Sequence, residues 1–393
     1  MLISDCQYQN SSRNMNKKRE VLFFIDSLTC GGAEKSLISL LPLLDYSKVQ
    51  VDLMLGVRGA VFEQYVPKEV NVMSIPHSCS LVFRIGQTWF SILQRMMRRR
   101  HGAEIRWMAM RGMYEKSKKE YDVAVAYQQG FPTYYVARKV RAKRKYAWVN
   151  ADLKNAGYCE AFNKPFYDSY DKVIPVSDVL CNLMKNTQYV DAEKLFTVYD
   201  VLNVDLIRRM SQEEHENLSH PDVTIVTTGR LVPPKNYILA VETAALLKKK
   251  GMDFVWYFVG EGSERIRIER LIQQYALEKQ VRLVGMKPNP YPYMAMADVY
   301  VQTSSFEGFG LTINEARILH KPVVSTNFPV VYNQIKDGEN GLIAEMNPES
   351  VAEKILMLIN DDALRERIID ATKREVNTTS VTEPQKVMDL LLA

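Results

Sequence analysis

Residues 298–319 restrict the fold more than any other stretch of this chain. Asp298-Val299-Tyr300-Val301-Gln302 is a short apolar run that reads as a buried strand ending at Thr303. Ser304-Ser305-Phe306-Glu307-Gly308-Phe309-Gly310 follows, and from Leu311 to Leu319 the apolar residues fall at helical spacing. A strand passing through a glycine-containing turn into a helix is the unit of an open α/β sheet, and such turns are where these sheets hold ligands. Gly308 and Gly310 let the backbone approach a ligand closely. A helix opening near Leu311 directs unpaired N–H groups outward, which makes an anion site. Glu307 precedes the helix and Glu315 lies about one turn into it, so two carboxylates eight residues apart flank the turn. That arrangement suits hydroxyls on either side of a bound diphosphate. Either glutamate alone would equally serve as an ordinary helix acid, Glu307 at the start and Glu315 in solvent.

The same pattern recurs along the 393 residues, a length suited to two or three domains. An apolar strand at 21–26 leads through the turn 27–32 to helical periodicity at 33–44, and further strands read at 49–55, 70–75, 122–127, 145–149 and 172–176. A second series begins with a strand at 223–228, a turn at 229–236 and a helix at 237–250. It continues with a strand at 254–259, Gly260-Glu261-Gly262, a helix to about 276, and a strand at 281–284 ending in Gly285-Met286. Strands alternating with helices predict α/β domains whose parallel sheets are covered on both faces. The divisions expected are a polar leader at 1–19, an N-terminal domain at 20–205 and a polar, acidic linker at 206–221. A C-terminal domain at 222–375 and a helix at 376–393, packing back on the N-terminal domain, complete the chain.

Arg230 and Lys235 stand at opposite ends of a turn stiffened by Pro233 and Pro234. Arginine offers paired donors to phosphate oxygens and lysine a point charge, so together they would neutralise a leaving diphosphate without a metal. The chain contains no Asp-x-Asp pair to carry a divalent ion. Either cation alone would read as an ordinary surface charge. Gly260-Glu261-Gly262 fits a close approach to a nucleotide, or a helix-capping turn. Gly31-Gly32-Ala33-Glu34 opens the first helix, but neither G-x-G-x-x-G nor G-K-[ST] is present there. Asn150 closes the strand at 145–149, and Gln128-Gln129-Gly130 closes the one before it.

Five scattered cysteines, none in a C-x-x-C pair, argue against a disulfide framework or zinc site and for a reducing cytosol. No run approaches the ~18 apolar residues of a membrane span. The net charge of +5 is unevenly placed: residues 84–119 hold ten Lys or Arg against Glu104 and Glu115. Trp89, Phe90, Ile92, Leu93, Met96, Met97, Ile105, Trp107, Met108, Met110 and Met113 interleave with these cations. This segment reads as a solvated basic face over a core face, or as a dock for an anionic membrane surface. Nucleic acid is the weakest reading, because no nucleic-acid motif accompanies the charge.

Glu307 and Glu315, with Gly-Phe-Gly between them, resemble the paired-glutamate motif of family four retaining glycosyltransferases, and the resemblance runs over roughly 21–357. It implies the GT-B fold, two Rossmann-like parallel-sheet domains facing across a cleft, the first taking the acceptor and the second a nucleotide sugar. It implies transfer of a hexose or N-acetylhexosamine from a nucleotide-diphosphate donor, a UDP-sugar, with retention and without metal or other cofactor. The acceptor would be a glycan or lipid-linked sugar in capsule, lipopolysaccharide or related cell-surface polysaccharide synthesis. The protein would be cytoplasmic, peripheral on the inner face of the plasma membrane, and would bind no nucleic acid. Arg230 and Lys235 match the family's donor-phosphate motif. Glu307 matches the residue on the transferred sugar, Gly308, Phe309, Gly310 and Leu311 the backbone beside the diphosphate, and Glu315 the residue on the ribose. Gly260, Glu261, Gly285 and Met286 match the nucleotide side, and Gly31 and Gly32 the loop between donor phosphates and acceptor. Asn150 departs from the pattern: relatives often carry His there, which can take a proton where Asn cannot. His77 and His101 come earlier in the chain, and no histidine of the sequence is expected to replace it. An epimerase or phosphorylase on the same fold, or a non-catalytic nucleotide-sugar sensor, remains compatible with these residues.

Overall fold

The computed structural model describes residues 18–29, 31–77, 80–97, 100–213, 223–375 and 379–393. The chain forms two compact units, Met1–Val198 with Pro384–Ala393, and Tyr199–Glu383. The expected leader at 1–19 lies outside the described residues as far as residue 17, and so do 214–221 of the expected linker. The boundary between units falls at 198/199, ahead of the expected 205/206. The first residues assigned to the linker instead complete the helix Val204–Met210, whose N-terminus is capped by the Asn203 side chain accepting from the Leu206 N–H.

The first unit holds β1 (Arg19–Ile25), β2 (Val49–Leu55), β3 (Asn71–Ser74), β4 (Glu120–Ala126), β5 (Arg141–Val149) and β6 (Lys172–Pro175). All pair in parallel, in the order β3-β2-β1-β4-β5-β6. β1 occupies the centre because both its faces are apolar: Val21, Leu22, Phe23, Phe24 and Ile25 are wholly buried. One face is covered by an aromatic core around Trp107, Phe131, Tyr134, Tyr135 and Phe166. The chain's end belongs to this unit. The Arg19 guanidinium donates to the Leu392 carbonyl at 3.1 Å, and the Tyr146 hydroxyl to the Leu390 carbonyl at 3.1 Å.

The second unit holds β7 (Thr224–Thr228), β8 (Val255–Val259), β9 (Val281–Gly285), β10 (Val299–Gln302), β11 (Val323–Thr326) and β12 (Leu342–Ala344). They pair in parallel in the order β12-β11-β10-β7-β8-β9, the mirror listing of the first sheet's order. Trp256 on β8 is fully buried, and its indole N–H reaches Thr227 Oγ1 on β7 at 3.0 Å. Each such large buried side chain contributes roughly 1.5–3 kcal/mol. In both sheets the chain winds outward along one side and then returns to the other, so the crossover reverses beside the first strand. The reversal lies between β1 and β4 in the first sheet and between β7 and β10 in the second. Loops leaving these neighbouring strands diverge and open a crevice at their carboxyl ends.

Candidate functional site

The reversal point of the second sheet gathers the cationic turn and the first glutamate. Lys235 leaves β7 at the end of the short turn Pro233–Lys235, and Glu307 leaves the neighbouring β10. The two loops are stitched by the Ser305 N–H donating to the Pro234 carbonyl at 2.8 Å and by Thr303 Oγ1 donating to the Lys235 carbonyl at 3.1 Å. Lys235 Nζ then meets Glu307 Oε1 at 2.6 Å, with the two side chains 18% and 11% exposed. The same oxygen accepts from Gln302 Nε2 at 2.6 Å and from Ser304 Oγ at 2.6 Å. Gln302 is itself fixed, because its Oε1 accepts from the Tyr300 hydroxyl at 2.9 Å and from Thr312 Oγ1 at 3.1 Å. Burial raises the pKa of the Tyr300 hydroxyl, which keeps it a neutral donor. Among the described residues, Glu307 Oε2 has no hydrogen-bond partner.

Arg230 follows immediately on β7. It is exposed, and its side chain has no hydrogen-bond or ion-pair partner among the described residues. Its backbone is set by contact among three loops. The Gly229 N–H donates to the Val259 carbonyl at 3.0 Å, the Leu231 N–H to Glu261 at 2.9 Å and the Gly260 N–H to Gly285 at 2.9 Å. A Cβ added at Gly260 would fall 1.8 Å from the Gly229 carbonyl oxygen, so only glycine permits this approach. Glu261 is exposed and ion-paired to Arg265, and Met286 is exposed beside Gly285. The structure thus brings Arg230, Lys235, Gly260, Glu261, Gly285 and Met286 onto the carboxyl ends of three adjacent strands, with Glu307 on the fourth.

The helix Leu311–Ile318 starts from Gly310 at φ 85°, with no side chain capping its first N–H groups. Gln334 Nε2 donates to the Phe309 carbonyl, and the buried Phe309 ring lies 5.6 Å from that of Tyr199. Glu315 is not the solvated helix acid that is one reading of the spacing. It is wholly buried, and its Oε1 accepts from the Tyr291 hydroxyl at 2.9 Å. The two glutamates therefore share a turn in sequence but not an exposed surface.

In the first unit, Gly31 precedes the helix Gly32–Leu40, and a Cβ on Gly31 would fall 2.1 Å from Glu34 Oε2. The Asn150 N–H donates to Gln129 Oε1 at 3.0 Å, whereas Asn150 Oδ1, Asn150 Nδ2 and Gln128 Oε1 are buried without a hydrogen-bond partner. Three features near this rim were not read from the sequence. Asp26, next after β1, accepts from Arg106 at 3.0 Å, and that guanidinium lies 4.1 Å over the Phe131 ring. Burial raises the Asp26 pKa against the lowering pull of Arg106. His101, expected to play no part here, stacks on Tyr158 at 3.8 Å, and a Cβ on Gly130 would fall 2.8 Å from the Tyr158 hydroxyl. Its Nδ1 accepts from the Ala103 N–H at 3.2 Å, so this ring nitrogen caps a helix, and burial lowers its pKa.

The basic segment 84–119 divides. Arg106 is taken by Asp26, Arg100 pairs with the buried Glu104 at 3.5 Å, and Lys119 pairs with Glu20 at 2.6 Å and Asp52 at 2.9 Å. Arg98 and Arg99 lie outside the described residues. Among the described residues no group of His, Cys, Asp and Glu forms a metal cluster, and no helix is long and apolar enough to cross a membrane.

Residues 209–375 match the family described as glycosyl transferases group 1. Poly(ribitol-phosphate) alpha-N-acetylglucosaminyltransferase of Staphylococcus aureus is 32% identical over 197 residues, 47% of this chain and 38% of that protein. N-acetylgalactosamine-N,N'-diacetylbacillosaminyl-diphospho-undecaprenol 4-alpha-N-acetylgalactosaminyltransferase of Campylobacter jejuni is 30% identical over 202 residues, 51% of this chain and 53% of that protein. The chain thus spans about half the length, or less, of the curated relatives it matches. Among solved structures, Anabaena HepE in complex with UDP-glucose superposes with a TM-score of 0.69 at 17% identity, over 95% of this chain and 99% of that one. S. aureus TarM, solved with fondaparinux, alpha-GlcNAc-glycerol and UDP, gives 0.68 at 16% identity, over 95% and 100%. These likenesses show the fold, which is GT-B, with its pair of Rossmann-like units.

Proposed function

We propose that this chain, whose residues 209–375 belong to the glycosyl transferases group 1 family, is a retaining, metal-independent glycosyltransferase of cell-surface polysaccharide synthesis. The observation that carries the reading is the Lys235–Glu307 pair, partly buried at the reversal point of the second sheet, with the Arg230 side chain free of partners among the described residues. A pyrophosphate entering there would meet Arg230, Lys235 and the uncapped start of the helix Leu311–Ile318. Lys235 would exchange its carboxylate partner for phosphate, which frees Glu307 for hydroxyls of the transferred sugar. A UDP-linked hexose or N-acetylhexosamine is the donor class, in keeping with the UDP and UDP-glucose complexes of the structural neighbours. The acceptor class is a glycan or a lipid-linked sugar, by analogy with the poly(ribitol-phosphate) and diphospho-undecaprenol acceptors in the relatives' names.

In this reading the sugar–phosphate bond breaks as the acceptor hydroxyl attacks from the same face, and a diphosphate oxygen accepts the hydroxyl proton. Arg230 and Lys235 stabilise charge growing on the leaving group, usually the largest catalytic contribution. Gly31, Gly32 and Asn150 belong to the acceptor side. An enzyme with a lipid-linked acceptor works at an anionic membrane surface, and the basic segment 84–119 is the docking region. The test is a panel of UDP-sugars and acceptors with product analysis. Transfer of sugar with net retention, reduced about 10²–10³-fold in Arg230→Ala, Lys235→Ala and Glu307→Ala, is expected. Near-normal turnover in all three variants, or conversion of the donor without any acceptor, overturns it.

A further inference from the structure

The helix Ser80–Met96 carries an apolar stripe that nothing among the described residues of the first unit covers. Ile85 is 59% exposed, Trp89 51%, Ile92 43% and Met96 75%. Their spacing of four, three and four residues places them in one line along the helix. They are not a core face turned outward by chance, because a different face of the helix is packed. Phe83 lies against His77 with ring centroids 4.5 Å apart and against Tyr114 at 5.7 Å. Phe90 packs on the aromatic core, and Gly86 admits Met113 so closely that a Cβ would fall 2.1 Å from its sulfur. The helix Gly102–Met110 has no such outward face: Ile105, Trp107 and Met110 are buried. Of the apolar residues that interleave with cations in 84–119, the outward ones are therefore confined to a single helix.

Charge selects the partner. From Ser80 to His101 the sequence contains five arginines and no acid. A second copy of this helix would bring arginine against arginine, whereas anionic headgroups complement it. An apolar line on a helix whose sequence is rich in arginine and free of acids, with Arg95 exposed on the helix itself, is the form that seats in the interface of an anionic bilayer. We propose that the helix Ser80–Met96 inserts Ile85, Trp89, Ile92 and Met96 among the acyl chains of an anionic membrane, with the paired cations of the neighbouring helix taking no direct part. This deepens the membrane reading given above and is independent of whether the protein transfers sugar.

Trp89 reports the event, because Trp107, Trp148 and Trp256 are 3%, 1% and 0% exposed. The full-length chain is mixed with vesicles of phosphatidylglycerol or of phosphatidylcholine, each also prepared with brominated acyl chains. A blue shift and bromolipid quenching on phosphatidylglycerol only are expected, with both signals lost in Trp89→Phe. Ile85→Ser with Ile92→Ser should lower the vesicle partition coefficient at least about tenfold, while UDP still raises the melting temperature as in the parent. Three outcomes overturn the inference. If the double variant binds phosphatidylglycerol as well as the parent, membrane docking survives but not through this helix. If neither vesicle is bound, docking falls as well. If light scattering shows a dimer that dissociates in the double variant, the stripe is a protein interface.

Discussion

Glu307 and Lys235 should differ in their effect on stability even though the proposal gives both to the same step. Glu307→Ala removes the counter-charge of a lysine whose side chain is only 18% exposed. Breaking a buried pair from one side costs about 3–5 kcal/mol, because the other charge stays desolvated. Lys235 has a flexible stem that lets the ammonium swing partly into water, which sets the lower end, about 3 kcal/mol. For a unit the size of Tyr199–Glu383 that is a fall in melting temperature of roughly 6–12 °C. Lys235→Ala leaves Glu307 with two donors, Gln302 Nε2 and Ser304 Oγ, both still on Oε1 at 2.6 Å. The remaining carboxylate is still hydrogen-bonded, so the loss should be about 1–2 kcal/mol. The double variant should be less destabilised than the sum, by about 1–2 kcal/mol, since the two residues touch. Calorimetry of the four proteins without ligand measures all three terms. Saturating UDP should narrow the gap between Glu307→Ala and the parent, because the diphosphate supplies Lys235 with a new partner. Equal melting temperatures for the two single variants would refute the reasoning, and so would a gap that UDP leaves unchanged.

Gly260→Ala forces a Cβ to within 1.8 Å of the Gly229 carbonyl at a φ of 156°, so the loop bearing Arg230 must shift. UDP affinity by calorimetric titration should fall at least about tenfold while the far-UV spectrum is retained. Asn150→Ala removes two buried atoms that have no partner, so urea unfolding should move by less than about 1 kcal/mol, whereas kcat/KM for the acceptor drops about tenfold. Asp26→Asn tests the raised carboxyl pKa of the first unit. A carboxyl raised on folding binds its proton more tightly in the folded state, so stability is highest below the ordinary carboxylate range. It falls as pH rises from about 4 to the raised value. The variant should lose that slope in urea titrations followed across this range, and an unchanged slope would assign it to another group.

The alternation of apolar runs and helical periodicity was enough to locate ten of the strands and the glycine turns after β7, β8 and β10, because local pattern and buried parallel strands carry the same signal. Val323–Thr326 and Leu342–Ala344 escaped, being runs of four and three residues without periodicity of their own. Within the site, chain spacing and spatial role part company where a partner comes from far away. Eight residues separate Glu307 from Glu315 in sequence, but the facing of Glu315 is decided by Tyr291, on another helix, which holds it in the interior. Likewise Arg106 reaches Asp26 across eighty residues, and His101, which caps a helix on the β3–β4 connection, stacks on Tyr158 beyond β5. Lys235 meets Glu307 for the same topological reason: β7 and β10, seventy-five residues apart at their starts, are neighbours at the point where the winding reverses. A charge pair that depends on strand order in this way forms only on completion of the second sheet. Any change that frees β10 from β7 should therefore separate Lys235 from Glu307, and with them the proposed diphosphate site, before it unfolds the core.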